Sequence, residues 1–160
     1  MHDLFYVMYT REEASRIKQE FWTAFGRYLT PILSSEGLHI NWVNYHTHVK
    51  DLYFRMRADN KLASIAISIE QSDASIRELY FEQFLELKML LHEQLGEEWQ
   101  WLRETTDESG RSVSRIAKEL PNVSILNKND WPELITFFKP RIIALDGFWE
   151  NARYSFESLR

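Results

Sequence analysis

Apolar positions along the chain recur at two different intervals, and the switches between them mark out the elements. After Thr10, which precedes Glu13 by three residues in a capping box, Ile17, Phe21, Ala24 or Phe25, Tyr28 and Ile32 return at helical spacing. The first helix therefore starts near Arg11. Pro31 should end or kink it, and Gly37 offers a left-handed stop. From Leu38 to Tyr45 the pattern becomes an imperfect two-residue alternation, which predicts a strand.

A cleaner alternation follows. Phe54 and Met56 share one parity, and beyond a turn at Ala58-Asp59-Asn60-Lys61 so do Ala63, Ile65, Ile67 and Ile69. Tyr53, Arg55, Arg57, Ser64, Ser68 and Glu70 then fall on the other face. The prediction is a hairpin with one apolar face and one polar face, where two arginines stand beside small residues that leave room above them.

Ser72, Asp73 and Ser75 compete to cap a second long helix that runs to Gly96, with Ser75 and Glu78 at capping-box spacing. Its stripe of Ile76, Tyr80, Phe84, Leu87, Leu91 and Leu95 is widened by Leu79, Phe81, Leu85 and Leu90, so the helix should be covered on most sides. Trp99 and Trp101 alternate with polar neighbours in a strand that turns at Asp107-Glu108-Ser109-Gly110 and returns over Arg111 to Lys118. Val123 to Leu126 reads as a short further strand. Asp130 and Glu133 cap the last helix, with Pro132 in its first turn, a kink expected at Pro140 and a helical face continuing to Phe156.

The expected fold class is α+β: a single domain over residues 1–160, with a mixed β-sheet of five or six strands flanked by three long helices. No repeat, low-complexity tract or linker interrupts it. At 160 residues and 44% hydrophobic composition the chain can bury a real core. Six Trp, seven Tyr and ten Phe are a heavy load, which leaves some available to line a groove or a subunit contact.

A net charge of -5 and a pI near 5.6 disfavour general electrostatic binding to nucleic acid, though a local basic patch stays open. The lack of cysteine excludes disulfides, thiolate metal sites and cysteine nucleophiles, and is compatible with a reducing cytoplasm. Met1 to Tyr9 are too short for a membrane span and lack the basic start and cleavage site of a secretory signal, so a cytoplasmic protein without a membrane partner is expected.

No G-x-S-x-G, G-x-G-x-x-G or P-loop occurs. If there is a ligand, Tyr53, Arg55, Arg57 and Glu70 are the binding set, because guanidinium groups recognise carboxylates and phosphates bidentately. The competing account is cross-strand pairing of the arginines with Glu70 and neighbouring acids. His46-Thr47-His48 would put two imidazoles on one side of an extended segment, with His39 in the same region, but no third ligand stands at a recognisable spacing and a solvated loop is the simpler reading.

Glu97 and Glu98 beside Trp99 and Trp101 invite comparison with glycosidase carboxylates. Successive strand residues point to opposite faces, however, so a helix-end Glu97 and a core Trp99 explain the sequence more simply. Asp146 sits amid Ile142, Ile143, Leu145 and Phe148; it is either functional or held by a structural arginine or by backbone donors at a kink.

The stretches INWVNYHTHVKDLYFRMRADNKLASIAISIE, RELYFEQFLELK, GEEWQW and NKNDWPELITFFKPRIIALDGFWENARYSFESL resemble the bacterial domain-of-unknown-function family 4268 over nearly the whole chain. The resemblance implies a fold and a family, with no demonstrated activity; some relatives carry an extra amino-terminal nuclease-like segment that is not expected here.

Separately, the order helix-strand-strand-strand-helix-strand is similar to the core of PD-(D/E)XK nucleases. That resemblance implies acidic residues and a lysine on two strands, holding a divalent metal that activates water. Here Arg55 and Arg57 stand on one strand, Ser64, Ala66, Ser68 and Glu70 on the other, and no lysine follows Glu70 at the needed step. Even on that scaffold no metal binding or cleavage is expected.

The sequence thus points to a non-catalytic binding or accessory domain with no cofactor and no metal, acting on a protein partner or through homo-oligomer formation. The alternative is a divergent metal-dependent nuclease or a nucleic-acid-binding component of a restriction or defence system. Which face of the sheet the last helix covers stays open.

Overall fold

The computed structural model describes residues 9–159, so the reading of the first eight residues lies outside it. Thr10 caps helix α1 (Arg11–Leu29), its Oγ1 accepting the Glu13 N–H at 3.0 Å. The hairpin forms where the alternation puts it, with β1 over Leu52–Ala58 and β2 over Leu62–Ile69. Asp59 closes the turn by accepting the N–H groups of Lys61 and Leu62 at 2.7 and 2.9 Å.

Of the three competing caps for the second helix, Asp73 is the one used: its Oδ1 accepts from Ser75 and Ile76. The expected single helix is broken into α2 (Ala74–Glu86) and α3 (Lys88–Leu95) at Leu87, whose φ of -96° and ψ of 10° leave the helical range. Gly96 ends α3 in the left-handed conformation. Strands β3 (Gln100–Thr106) and β4 (Ser112–Pro121) make the second hairpin. A 3₁₀ turn over Lys128–Asp130 then leads into α4 (Trp131–Ala152) and the short α5 (Tyr154–Glu157). The expected kink brings no break, because α4 stays helical through Pro140.

The sheet has four strands in the order β1-β2-β4-β3, and every neighbouring pair is antiparallel, so the mixed sheet of five or six strands is corrected. The chain leaves β2 through α2 and α3, re-enters at the far edge as β3, and folds back as β4 into the place beside β2.

Two expected strands are irregular segments. In Leu38–Tyr45 the Asn41 side chain accepts the N–H groups of Val43 and Asn44 at 3.1 and 3.0 Å, bending the backbone that a ladder would need extended. Val123–Leu126 is tied instead to the first hairpin's turn, Val123 N–H to Lys61 O and Ile125 N–H to Asp59 O. Without a strand at 38–45, the order that resembled a nuclease core is not present among the described residues.

The helices cover one face of the sheet. α4 sets Trp149 edge-on against Phe54 of β1, with ring centroids 5.7 Å apart, and α2 brings Phe81 against Trp101 at 5.8 Å. α1 packs on α4 through Phe25 and Phe138 at 6.0 Å. The aromatic load therefore builds the core: among the described residues every exposed aromatic is a tyrosine, and no phenylalanine or tryptophan is exposed.

Candidate functional site

Strand register brings the predicted polar residues together on the face away from the helices. Arg55 stands opposite Ala66, Arg57 opposite Ser64, and on the other side of β2 Arg115 stands opposite Ser68 and Glu119 opposite Ser64. Arg55 donates from Nε and Nη2 to the two oxygens of Glu70, both at 2.8 Å, with its guanidinium carbon 4.1 Å from the centre of the Tyr53 ring. Arg111 adds a third bond to Glu70 at 3.2 Å. Burial pushes the Glu70 carboxyl up, but the bonds from Arg55 and Ser68 and the charges of Arg55 and Arg111 outweigh it and hold it below the usual range.

Tyr53, Arg55 and Glu70 are thus one closed unit, in agreement with the cross-strand account. Arg57 is outside it, reaching the exposed Glu108 at 3.0 Å. Between them lies a cleft of about 210 Å³ lined by strand residues, by Glu70 just past β2 and by the β3–β4 turn, among them Arg57, Ser68, Asp107 and Arg115. Asp107 is held well below the usual carboxylate range, first by the backbone N–H of Arg111 and then by the Ser109 hydroxyl.

The last helix leaves this arginine face open. Arg115, which sequence reasoning missed, is half-buried and makes no hydrogen bond or ion pair among the described residues. Its parity with Val113 and Ala117 in an apolar return strand was the available signal, but the cleft it shares with Arg57 is a product of the folded sheet, in which Arg115 stands opposite Ser68 and Arg57 opposite Ser64.

A second concavity lies at the end of α4 under the loop that joins α1 to β1. Trp149 fastens that loop by donating Nε1 to Thr47 O at 2.9 Å, and Thr47 donates its hydroxyl to Leu52 O at 2.7 Å. Asp146 is held there by neither an arginine nor a kink: it accepts the Tyr45 hydroxyl at 2.6 Å and the Ser35 N–H at 2.7 Å. Burial, and then the bond and charge of Asp146, push the Tyr45 phenol far up. His46 and His48 stand at the rim, exposed, with ring centroids 6.2 Å apart. Among the described residues no group of three or more His, Asp or Glu is placed to hold a metal ion.

Glu97 and Glu98 precede β3 rather than lying in it; Glu97 stands at the helix end and Trp99 is buried, as expected. Glu97 accepts Trp99 Nε1 at 2.7 Å and takes a bidentate pair from Arg141 at 2.8 and 2.9 Å, locking the end of α3 to α4. Burial raises the Glu97 carboxyl, but Arg141 and Trp99 together bring it below its usual value.

Among the described residues no helix is long and apolar enough to cross a membrane. No curated protein and no solved structure is significantly similar to the chain. The family model described as "Domain of unknown function (DUF4268)" matches residues 17–153, which span α1 to the end of α4, and the chain belongs to that family.

Proposed function

We propose that the chain is a non-catalytic binding domain that receives an acidic segment of a protein partner on the arginine face of its sheet, bordered at one edge by Lys18 and Trp22 of α1. The observation that carries this reading is Arg115, a half-buried guanidinium without a protein counter-charge among the described residues, set beside the loosely held Arg57 above a floor of Ser64, Ala66 and Ser68. A partner carboxylate could take a bidentate pair from Arg115 and displace the solvent-exposed Glu108 from Arg57, with little rearrangement of the sheet beneath. A net charge of -5 favours a localised acidic contact over a long nucleic-acid track.

The nuclease alternative draws little from this face, because Arg55 engages both oxygens of Glu70. The test pairs crosslinking and affinity capture with light scattering, comparing the unmodified chain with an Arg57→Glu, Arg115→Glu double variant. A partner captured through an acidic segment and lost in the double variant supports the proposal. A strictly monomeric chain that captures nothing, or identical capture by both forms, refutes it, as does magnesium-dependent DNA cleavage abolished by Glu70→Ala.

A further inference from the structure

We infer that the concavity at the end of α4 binds a small zwitterion of free amino-acid size. At about 380 Å³ it sits at the lower end of the roughly 300–1,000 Å³ range of small-molecule pockets, too small for a folded partner. Its walls have the mixed character such a ligand needs. Leu38, Ile40 and the edge of Trp149 supply an apolar side, and three carboxylates, those of Glu36, Asp146 and Glu150, face it against the single guanidinium of Arg153.

The helix arranges this chemistry. Asp146, Trp149, Glu150 and Arg153 are spaced i, i+3, i+4 and i+7, which puts them on one side of α4 and its C-cap. Asp146, only 5% exposed, has two neutral donors, Tyr45 and the Ser35 N–H, and no cation within salt-bridge distance among the described residues. Glu150 is half-buried and has no hydrogen bond or ion pair there either. Two carboxylates in a recess, neither of them paired with a cation among the described residues, attract an ammonium group.

The opposite end of the ligand is set by Arg153. Among the described residues only its Nη2 is engaged, by the Tyr154 hydroxyl at 3.1 Å and, at 3.5 Å, by Glu36, while its Nε is buried without an acceptor. A buried donor left unsatisfied is costly, and a ligand carboxylate docking on this guanidinium, with a small rotation of its plane, would give it a partner. Glu150 and Arg153 are helical neighbours that do not pair with each other. An ammonium and a carboxylate joined by one carbon fit between them, with the ligand's side chain against Trp149 and Ile40.

Isothermal titration calorimetry with L-leucine, L-phenylalanine and L-lysine tests this, with isopentylamine and 4-methylpentanoate as ligands carrying only one of the two charges. At least one amino acid should bind, and each single-charge analogue at least about tenfold more weakly, as expected for loss of a charged hydrogen bond. Glu150→Gln should weaken the amino acid by a similar factor while thermal unfolding shows an intact fold, since Glu150 makes no hydrogen bond or ion pair among the described residues. Binding should survive the Arg57→Glu, Arg115→Glu changes, which separates this site from the sheet face. Absence of binding by all three amino acids, equal binding of isopentylamine, or an unchanged affinity in Glu150→Gln overturns the inference.

Discussion

Arg55 and Glu70 are joined by two parallel hydrogen bonds of 2.8 Å across the first hairpin, with the Glu70 side chain only 5% exposed. A carboxylate so enclosed depends on its counter-charge. Because its folded pKa lies below the unfolded value of about 4.3, the pair's contribution is complete above that pH and is lost as pH falls through the lower folded value. Glu70→Gln should cost on the order of 1–2 kcal/mol at neutral pH, moderated by the partial exposure of Arg55. Urea midpoints from pH 3 to 7 check this: the gap between the two proteins should narrow below about pH 4, and a gap constant with pH would contradict the assignment.

Trp149 joins three parts of the molecule, touching Phe54 of the sheet and Phe84 of α2 while its indole N–H holds Thr47 of the loop. Trp149→Ala should therefore destabilise by about 3–5 kcal/mol. Trp149→Phe keeps most of the packing but leaves Thr47 O unpaired in the interior, at about 1–3 kcal/mol. Equilibrium denaturation of both variants separates packing from hydrogen bonding, and equal losses would place the whole effect in the hydrogen bond to Thr47.

Gly96 ends α3 at a φ of 70°, and a Cβ added there would meet nothing within 4 Å. Its substitution isolates the cost of the left-handed backbone. Gly96→Ala should lower stability by about 1 kcal/mol, and Gly96→Asn by less, because asparagine tolerates that conformation. Thermal unfolding that ranks asparagine below alanine would remove this explanation of the helix stop.

The features legible in the sequence are those decided within a few residues. Thr10 with Glu13, the Asp59 turn, the Asp107 turn and the left-handed Gly96 are all local, and each is found where the residues place it. Leu38–Tyr45 misled because one side chain, Asn41, overrode an alternation too weak to impose a strand. The site features that escaped are products of distance along the chain. Arg115 reaches the cleft it shares with Arg57 only because β4, separated from β2 by two helices and a strand, pairs with it, and Tyr45 meets Asp146 across 101 positions. An apolar run containing Asp146 announces a buried acid but not its donor.

The 2.6 Å bond from the Tyr45 hydroxyl to Asp146 makes opposite demands at neutral and alkaline pH. At neutral pH the hydroxyl is one of two donors satisfying a buried carboxylate, so Tyr45→Phe should destabilise by about 1.5–3 kcal/mol. At high pH the same enclosure works against the wild type. Burial and the neighbouring Asp146 raise the phenol above its unfolded value near 10, so the folded state keeps a proton that the unfolded state releases. The stability contributed by Tyr45 is then complete below about pH 10 and declines as pH rises past it, whereas phenylalanine has no proton to lose. Urea titrations between pH 7 and 11 should show the wild type converging on Tyr45→Phe above about pH 10. Parallel curves over that range would mean that the phenol ionises equally in both states, and that the bond to Asp146 does not persist in solution.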